Sequence, residues 1–513
     1  MLRRLILFAS GTLAAWLAFA LLIRFTCAYT LVYQENVSTF YYNAQLMSPV
    51  LSADGGIAKA AAIWVAQYFT SAWAASIIVG AMLAVTAALF AFAFWRLTKA
   101  WWTAPLALRP SCILAVCLCM ATFQFYNVIY FLLIAIALAL IALPRRPIIR
   151  AAVAAVCLAA LWAICGLPSS PWQVWAALAY CIVSPFIYSL VKFKTKKSQT
   201  IAVAVLLALT AFYTYKGERD QQQDSEETFY KLSVLSGQGR WNEIIEACQG
   251  IDVSDQRCQN CLNLALAQTG KLADELLLHP TDGVASLIAP VKSPDAYIVL
   301  SDIYWAMGHL AMSQAYAFQA NQAYGNLSPR LLQRLADISI AYGNYALASK
   351  YLTILEQTSQ YTQWAQQRRK LLGDREAIAK HPELGQKQAC IVPDNEFIAI
   401  KGLPDDLKRI LRANPKQSTA MQYLGSYLLL AKDVPAFAEA IGEFYGTEAL
   451  PTTLPRYFQE GIVVASIGSG ERLDLKYGVP QNVMQQCQAF WQNGLNQPTT
   501  FWQYLKTHKN SNQ

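Results

Sequence analysis

The sequence predicts an all-α chain in two parts: a polytopic membrane helix bundle of about seven spans, then a helical-hairpin solenoid. Three observations carry that prediction. Residues 1–215 hold fourteen Lys/Arg and two acids, Glu35 and Asp54, whereas residues 216–513 hold twenty-seven Lys/Arg and thirty Asp/Glu. The basic half is a string of apolar runs. In the acidic half, glycine turns at Gly239, Gly270, Gly308 and Gly343 recur at spacings of 31, 38 and 35 residues between helix-patterned stretches.

Only 14% of the chain is charged, against about 25% in an ordinary soluble protein. The deficit lies in the first 215 residues. Their basic excess flanks apolar runs and reads as membrane orientation, so the pI near 8.8 does not point to nucleic acid.

Residues 5–23 are nineteen uncharged positions behind Arg3 and Arg4; a bilayer core of about 30 Å needs about 20 helical residues. The run spans as a signal-anchor, or it is a signal peptide cut near Ala18-Phe19-Ala20. Residues 72–95 form the second span. Residues 111–143 are thirty-three positions without a charge. Gln124, Tyr126 and Asn127 are the polar cluster that divides them into spans at 111–125 and 127–143. Spans follow at 149–166, 172–191 and 200–215. This arrangement places twelve Lys/Arg inside and two, Arg24 and Lys59, outside. The Lys/Arg bias then sets the N-terminus in the cytoplasm and the C-terminal part outside, in the periplasm of a Gram-negative inner membrane. No span carries an ionisable residue near its centre, which disfavours a coupled transporter.

The first outer loop, residues 24–71, is long and aromatic. Ile57, Ala61, Trp64 and Tyr68 fall at helical spacing, as in a surface-lying helix over 57–73. Glu35 and Asp54 are the candidate catalytic residues. They are either solvated loop carboxylates, with Asp54 capping the next helix, or acids held over the membrane face to bind a metal or activate an acceptor.

Residues 216–227 read as a polar linker, 228–373 as helical repeats, 374–417 as an irregular insertion broken by Pro382, Pro393, Pro404 and Pro415, and 418–507 as a further hairpin with capping helices. An extended stretch is expected over 390–400 and a frayed tail over 508–513. Stacked hairpins leave a concave face for partners; Tyr304, Tyr316 and Tyr342 are its candidate partner-binding residues, although such aromatics also serve as core. Cys248, Cys258, Cys261, Cys390 and Cys487 are candidates for disulfides in an oxidising compartment. No metal or cofactor is expected: Cys258 and Cys261 lack companions, and the four histidines show no ligand spacing.

Around Gly343-Asn344-Tyr345-Ala346-Leu347-Ala348 the chain resembles a tetratricopeptide repeat, a likeness covering roughly residues 225–360. In that family the turn glycine fits tight packing and a small residue five positions on lets the helices approach. Gly343 with Ala348, and Gly308 with Ser313, keep that pattern; Ile244 and Glu275 after Gly239 and Gly270 do not. The whole chain resembles an uncharacterised family of multi-span membrane proteins from Bacteroidota. That likeness rests on Tyr33-Gln34-Glu35 leading to Gly55-Gly56, on Leu262-Asn263-Leu264-Ala265-Leu266-Ala267 before Gly270 and Leu272-Ala273-Asp274, and on Leu331-Leu332-Gln333-Arg334-Leu335. Tyr423-Leu424-Gly425 and Tyr445-Gly446-Thr447-Glu448 extend it. It implies an integral membrane protein with a helical-repeat tail and supplies no catalytic residues. The function expected is an outward platform that docks protein or peptide partners of the cell envelope. The alternative is a membrane glycosyltransferase: seven spans, an inside N-terminus, a long first outer loop with an acid and an outward C-terminal domain are similar to the C superfamily. There, Glu35 or Asp54 would serve with a lipid-linked sugar donor, although the paired acidic motif is missing.

Overall fold

A computed structural model describes residues 2–118, 124–165, 172–190, 195–223, 226–250, 253–290, 292–392, 402–493 and 499–507. The chain is 76% helix, with no strand among the described residues. It divides into two compact units, residues 1–231 with 357–360, and residues 232–356 with 361–513.

The first unit opens with α1 (Leu2–Thr26), α2 (Ala28–Val37), α3 (Ala44–Leu51), α4 (Gly56–Ala66) and α5 (Ala72–Thr98). A 3-10 turn, Trp101–Ala107, leads into α6 (Leu108–Leu118), followed by α7 (Tyr126–Ala142), α8 (Pro147–Cys165), α9 (Trp172–Ser189) and α10 (Lys196–Gln223). Three helical stretches are long and apolar enough to cross a membrane: Phe8–Thr26, Ala72–Thr98 and Pro147–Cys165. They mark the chain as a membrane protein. α1 packs on α5. The crossing is close because Gly80 has no side chain, and a Cβ there would lie 2.7 Å from the Ala20 nitrogen.

The uncharged stretch 111–143 falls into two helices, α6 and α7. Asn127 opens the second, its backbone N–H and side-chain amide both donating to Gln124 O, at 3.1 and 2.9 Å. Residues 119–123 lie outside the described set, as do the expected turn at 167–171 and Lys192 and Lys194.

Three sequence expectations are corrected here. α4 ends at Ala66 and α5 starts afresh behind Ser71, whose hydroxyl accepts the Ala74 N–H at 3.2 Å, so 57–73 is not one helix. Its stripe Ile57, Ala61, Trp64 and Tyr68 is nonetheless exposed. Gly55, with φ 67°, holds the cap position of α4 in place of Asp54. The expected linker is helical, since α10 runs on to Gln223. Beyond it, Glu227 caps α2: its carboxylate accepts the Tyr29 N–H at 2.7 Å and the Thr30 N–H at 2.8 Å. These are donors that a helix start leaves open.

The second unit is built from helix pairs. The helices are α11 (Glu227–Gly237), within which the unit begins at Leu232, α12 (Trp241–Cys248), α13 (Gln256–Gln268), α14 (Leu272–Glu275), α15 (Pro294–Met307), α16 (Leu310–Ala323), α17 (Pro329–Ala341) and α18 (Tyr345–Leu355). Gly239, Gly270, Gly308 and Gly343 stand between partners with φ from 67° to 84°, the left-handed conformation that glycine adopts without a Cβ penalty. Gly308 is held twice over, since a Cβ there would meet the Cys390 sulfur at 2.6 Å. Ser293 caps α15 by accepting the Ala296 N–H at 3.2 Å, with Pro294 in the first turn.

Next come α19 (Thr362–Arg369), α20 (Arg375–Lys380), α21 (Leu384–Ala389) and α22 (Leu403–Ala413). The stretch expected to be irregular is therefore largely helical. Pro382 and Pro415 fall in turns, and Pro404 sits in the first turn of α22. Most of the extended stretch expected at 390–400 lies outside the described residues. α23 (Ser418–Leu430) and α24 (Val434–Phe444) form the expected hairpin, with Lys432 at φ 61° in the turn. α25 (Arg456–Ser469), α26 (Leu473–Lys476), α27 (Gln481–Asn493) and α28 (Phe501–Thr507) close the unit.

Candidate functional site

The first helices of successive pairs converge on one cleft of 590 Å³ in the second unit. α17 presents Arg330, Gln333, Arg334 and Asp337 to it, spaced i, i+3, i+4 and i+7, which is one helical face. Asp302 and Trp305 come from α15, and Trp364 and Arg368, one turn apart, from α19. Trp241 opens α12, and Glu383 and Lys387 lie at α21.

Most charges in the cleft are paired. Asp302 receives Arg330, and Arg334 Nη2 at 3.0 Å. Arg330 also donates to Ser233 O at 2.9 Å. Arg368 donates to Asp337 from Nε at 2.7 Å and from Nη2 at 3.3 Å, a two-pronged contact. The third nitrogen, Nη1, lies 2.7 Å from His381 Nε2. Trp305 Nε1 donates to Glu383 at 2.6 Å. The Trp305 ring has the Arg334 guanidinium 4.5 Å and the Lys387 ammonium 5.7 Å from its centroid. Burial pushes the Asp337 carboxyl up to about 6 against the pull of Arg368. Burial likewise brings the Lys387 ammonium down to about 8. Chemically, the cleft offers aromatic faces, carboxamides and a surplus of one positive charge, from four Lys/Arg against three carboxylates. That suits recognition of a polar chain bearing an anionic group.

The residues singled out from sequence lie elsewhere. Tyr304 and Tyr316 are buried, 0% and 7% exposed, and stack on each other with centroids 5.5 Å apart. Burial raises both hydroxyls. Tyr342 packs on the hydrophobic cluster around Ile338 and Leu384. Tyr304 and Tyr316 thus serve as core, the other role open to such aromatics, and Trp305, next to Tyr304 on α15, lines the cleft. The readable signal was the polar face of α17, four residues at helical spacing in an otherwise apolar helix.

Cys248, Cys258, Cys261, Cys390 and Cys487 are all buried, and no disulfide joins them to one another. His309 and Asp406 form a buried pair, Nε2 to Oδ2 3.2 Å. His309 Nδ1 accepts the Met312 N–H at 3.3 Å, which makes the ring the cap of α16. Cys390 Sγ instead lies 3.4 Å from Asn414 Nδ2, and burial raises its thiol, the environment of an inert buried cysteine. Glu35 is 5% exposed on the packed face of α2. Burial first, then the charge of Glu35, raises the Tyr41 hydroxyl. Asp54 is exposed in the turn before α4. Among the described residues no three His, Cys, Asp or Glu converge in a way that could hold a metal.

No curated protein and no solved structure matches the chain. Two matches to a single family do, over residues 3–169 and 167–508, one reaching from α1 to the end of α8 and the other from there through the cleft to α28. With nearly its whole length accounted for in this way, the chain belongs to the family of unknown function DUF6057.

Proposed function

We propose that this is an envelope protein of the bacterial inner membrane, of Bacteroidota type, which holds a tetratricopeptide-like repeat domain on the outer side. There the domain docks a protein or peptide partner. The observation that carries this reading is the composition of the cleft: α11, α13, α15, α17, α19 and α21 all contribute to it, joined by Trp241 at the start of α12. Lining by alternate helices is what a stack of hairpins produces on its concave side. The glycine turns at near-constant spacing support the same reading. For the membrane part, seven spans with twelve Lys/Arg on one side and two on the other favour a cytoplasmic N-terminus and a periplasmic second unit.

Two experiments test it. A topology reporter fused after Gly217 is expected to signal from the periplasm; a cytoplasmic signal removes the orientation. Crosslinking capture with the full chain in its own membranes is expected to return the same partner repeatedly, and a Trp364→Ala, Arg368→Ala variant is expected to lose it. Capture that is indifferent to those two substitutions would move the docking site off the cleft.

A further inference from the structure

Two cations in the cleft carry more hydrogen-bond donors than the protein answers. Lys387 is 7% exposed, and its ammonium donates to Ala306 O at 3.0 Å. That carbonyl, in the last turn of α15, already accepts Gln417 Nε2 at 2.6 Å. An ammonium has three donors, so two remain. Arg334 gives one bond to Asp302, while its Nε is buried with no acceptor. Both cations are held at the same Trp305 ring.

The carboxylates do not neutralise this corner. Asp302 is shared between two arginines, Asp337 is gripped by Arg368, and Glu383 takes the Trp305 N–H. The lowered basicity of Lys387 comes from burial, which the nearby Cys390 and Glu383 offset only in part and to which the like charge of Arg334 adds. A helix cap alone would not need a buried ammonium, because the Gln417 amide already serves the same carbonyl.

Resting on the repeat-platform reading, we propose that Lys387 and Arg334 form an anion anchor, which takes a carboxylate of an extended acidic peptide lying along the cleft. The charge count favours a carboxylate. The surplus of one positive charge balances a single negative charge, whereas a phosphate monoester brings close to two. Trp241 and Trp364 supply aromatic faces for flanking residues, and Gln333 supplies a carboxamide for a peptide backbone. The carboxylate comes either from a chain end or from an Asp or Glu side chain.

The test uses the full chain in nanodiscs of neutral lipid and four fluorescent heptapeptide pools. The pools have free or amidated C-termini, each made with and without Asp and Glu. Pools with a carboxylate are expected to bind about tenfold or more tighter than the amidated pool lacking acids, the scale of a charge-assisted hydrogen bond. Lys387→Met is expected to erase that preference without lowering the unfolding temperature. Lys387→Arg is expected to keep part of it. The amidated acidic pool against the free-ended neutral pool tells side chain from terminus. Equal binding of all four pools overturns the anchor and leaves the platform standing. No binding by any pool to the wild type, with the protein folded, overturns both. A preference that survives Lys387→Met, or an oligosaccharide that displaces the peptides independently of Lys387, also overturns the anchor.

Discussion

In the first unit large apolar side chains lie in the open, and in the second unit charged ones lie inside. Ile148, Val156 and Trp162 on α8 are 83%, 69% and 68% exposed, while Asp302, Asp337 and Lys387 are all under 10%. Each arrangement is unfavourable in water. Exposed apolar surface of that extent needs a partner, and a buried charge needs a counter-charge or hydrogen bonds. The first unit finds its partner in lipid, as the length and apolarity of its helices require. The second unit finds nearly all of its partners within itself, through Asp302 and Asp337 and the arginines they hold. Where it does not, at Lys387 and Arg334, the shortfall points to a ligand. The comparison teaches that the informative residues are those whose environment is wrong for a water-soluble domain, and that the remedy differs between the two units.

The largest expected effect breaks a pair in the second unit. Asp337→Ala removes the carboxylate from Arg368, whose side chain is 15% exposed. A buried charge stripped of its partner costs about 3–5 kcal/mol. Chemical unfolding of the second unit, followed by tryptophan fluorescence in detergent, is expected to shift by that amount. A shift below about 1 kcal/mol would show that water replaces the partner and that the pair is a surface feature.

Next in size is a test of the first unit. Val156 lies midway along the apolar stretch Pro147–Cys165. Val156→Arg is expected to raise the free energy of membrane insertion by about 2.5–3.5 kcal/mol, read as the fraction of chain integrated during translation. Leu475, 67% exposed in the second unit, provides the contrast; Leu475→Arg is expected to alter stability by no more than about 0.5 kcal/mol. If the two substitutions behaved alike, α8 would not face lipid.

A third prediction concerns pH. The Asp337 carboxyl is raised to about 6 by burial, with Arg368, Arg334 and Glu383 as the charged groups around it. A raised folded value means that the folded state prefers the neutral acid. The stabilising contribution is complete below about 4, the ordinary value, and is lost as pH rises through 6. The loss is on the order of 3 kcal/mol. Subtracting the profile of Asp337→Asn from that of the wild type removes the other acids. The difference is expected to fall across pH 4 to 6.5 and then level off; a flat difference would place Asp337 in contact with water.

What could be read in the sequence follows the same division. The helices of the first unit were visible because hydrophobic length is a one-dimensional property, and residues 5–23, 72–95 and 149–166 lie within α1, α5 and α8 to within a few residues. The turns at Gly239, Gly270, Gly308 and Gly343 were visible because a left-handed turn selects glycine locally. The cleft was not, because it is assembled from residues as far apart as Ser236 and Lys387. Aromatic spacing pointed to Tyr304, and the side chain that lines the cleft is Trp305. A helical pattern fixes which residues share a face, but not which face meets the core when both carry aromatics. Glu227 reads as part of a linker in the sequence because its role, capping α2, depends on a segment nearly two hundred positions away.

The smallest effect is the one that separates the two kinds of buried charge. Lys387→Met keeps the length of the side chain and its contact with Trp305, and Ala306 O keeps Gln417. The folded ammonium is lowered to about 8, so the folded state disfavours the charge at neutral pH. Lys387→Met is therefore expected to be neutral or to stabilise by up to about 1 kcal/mol, the opposite sign to Asp337→Ala. For a cation with a lowered folded value, that advantage is present below pH 8 and fades as the wild type loses its proton between 8 and 10.5. Were Lys387→Met to destabilise the fold as Asp337→Ala does, the ammonium would be a structural cap. A gain in stability with a loss of binding would mark it as a residue kept for its ligand, the same logic by which exposed Val156 is kept for lipid.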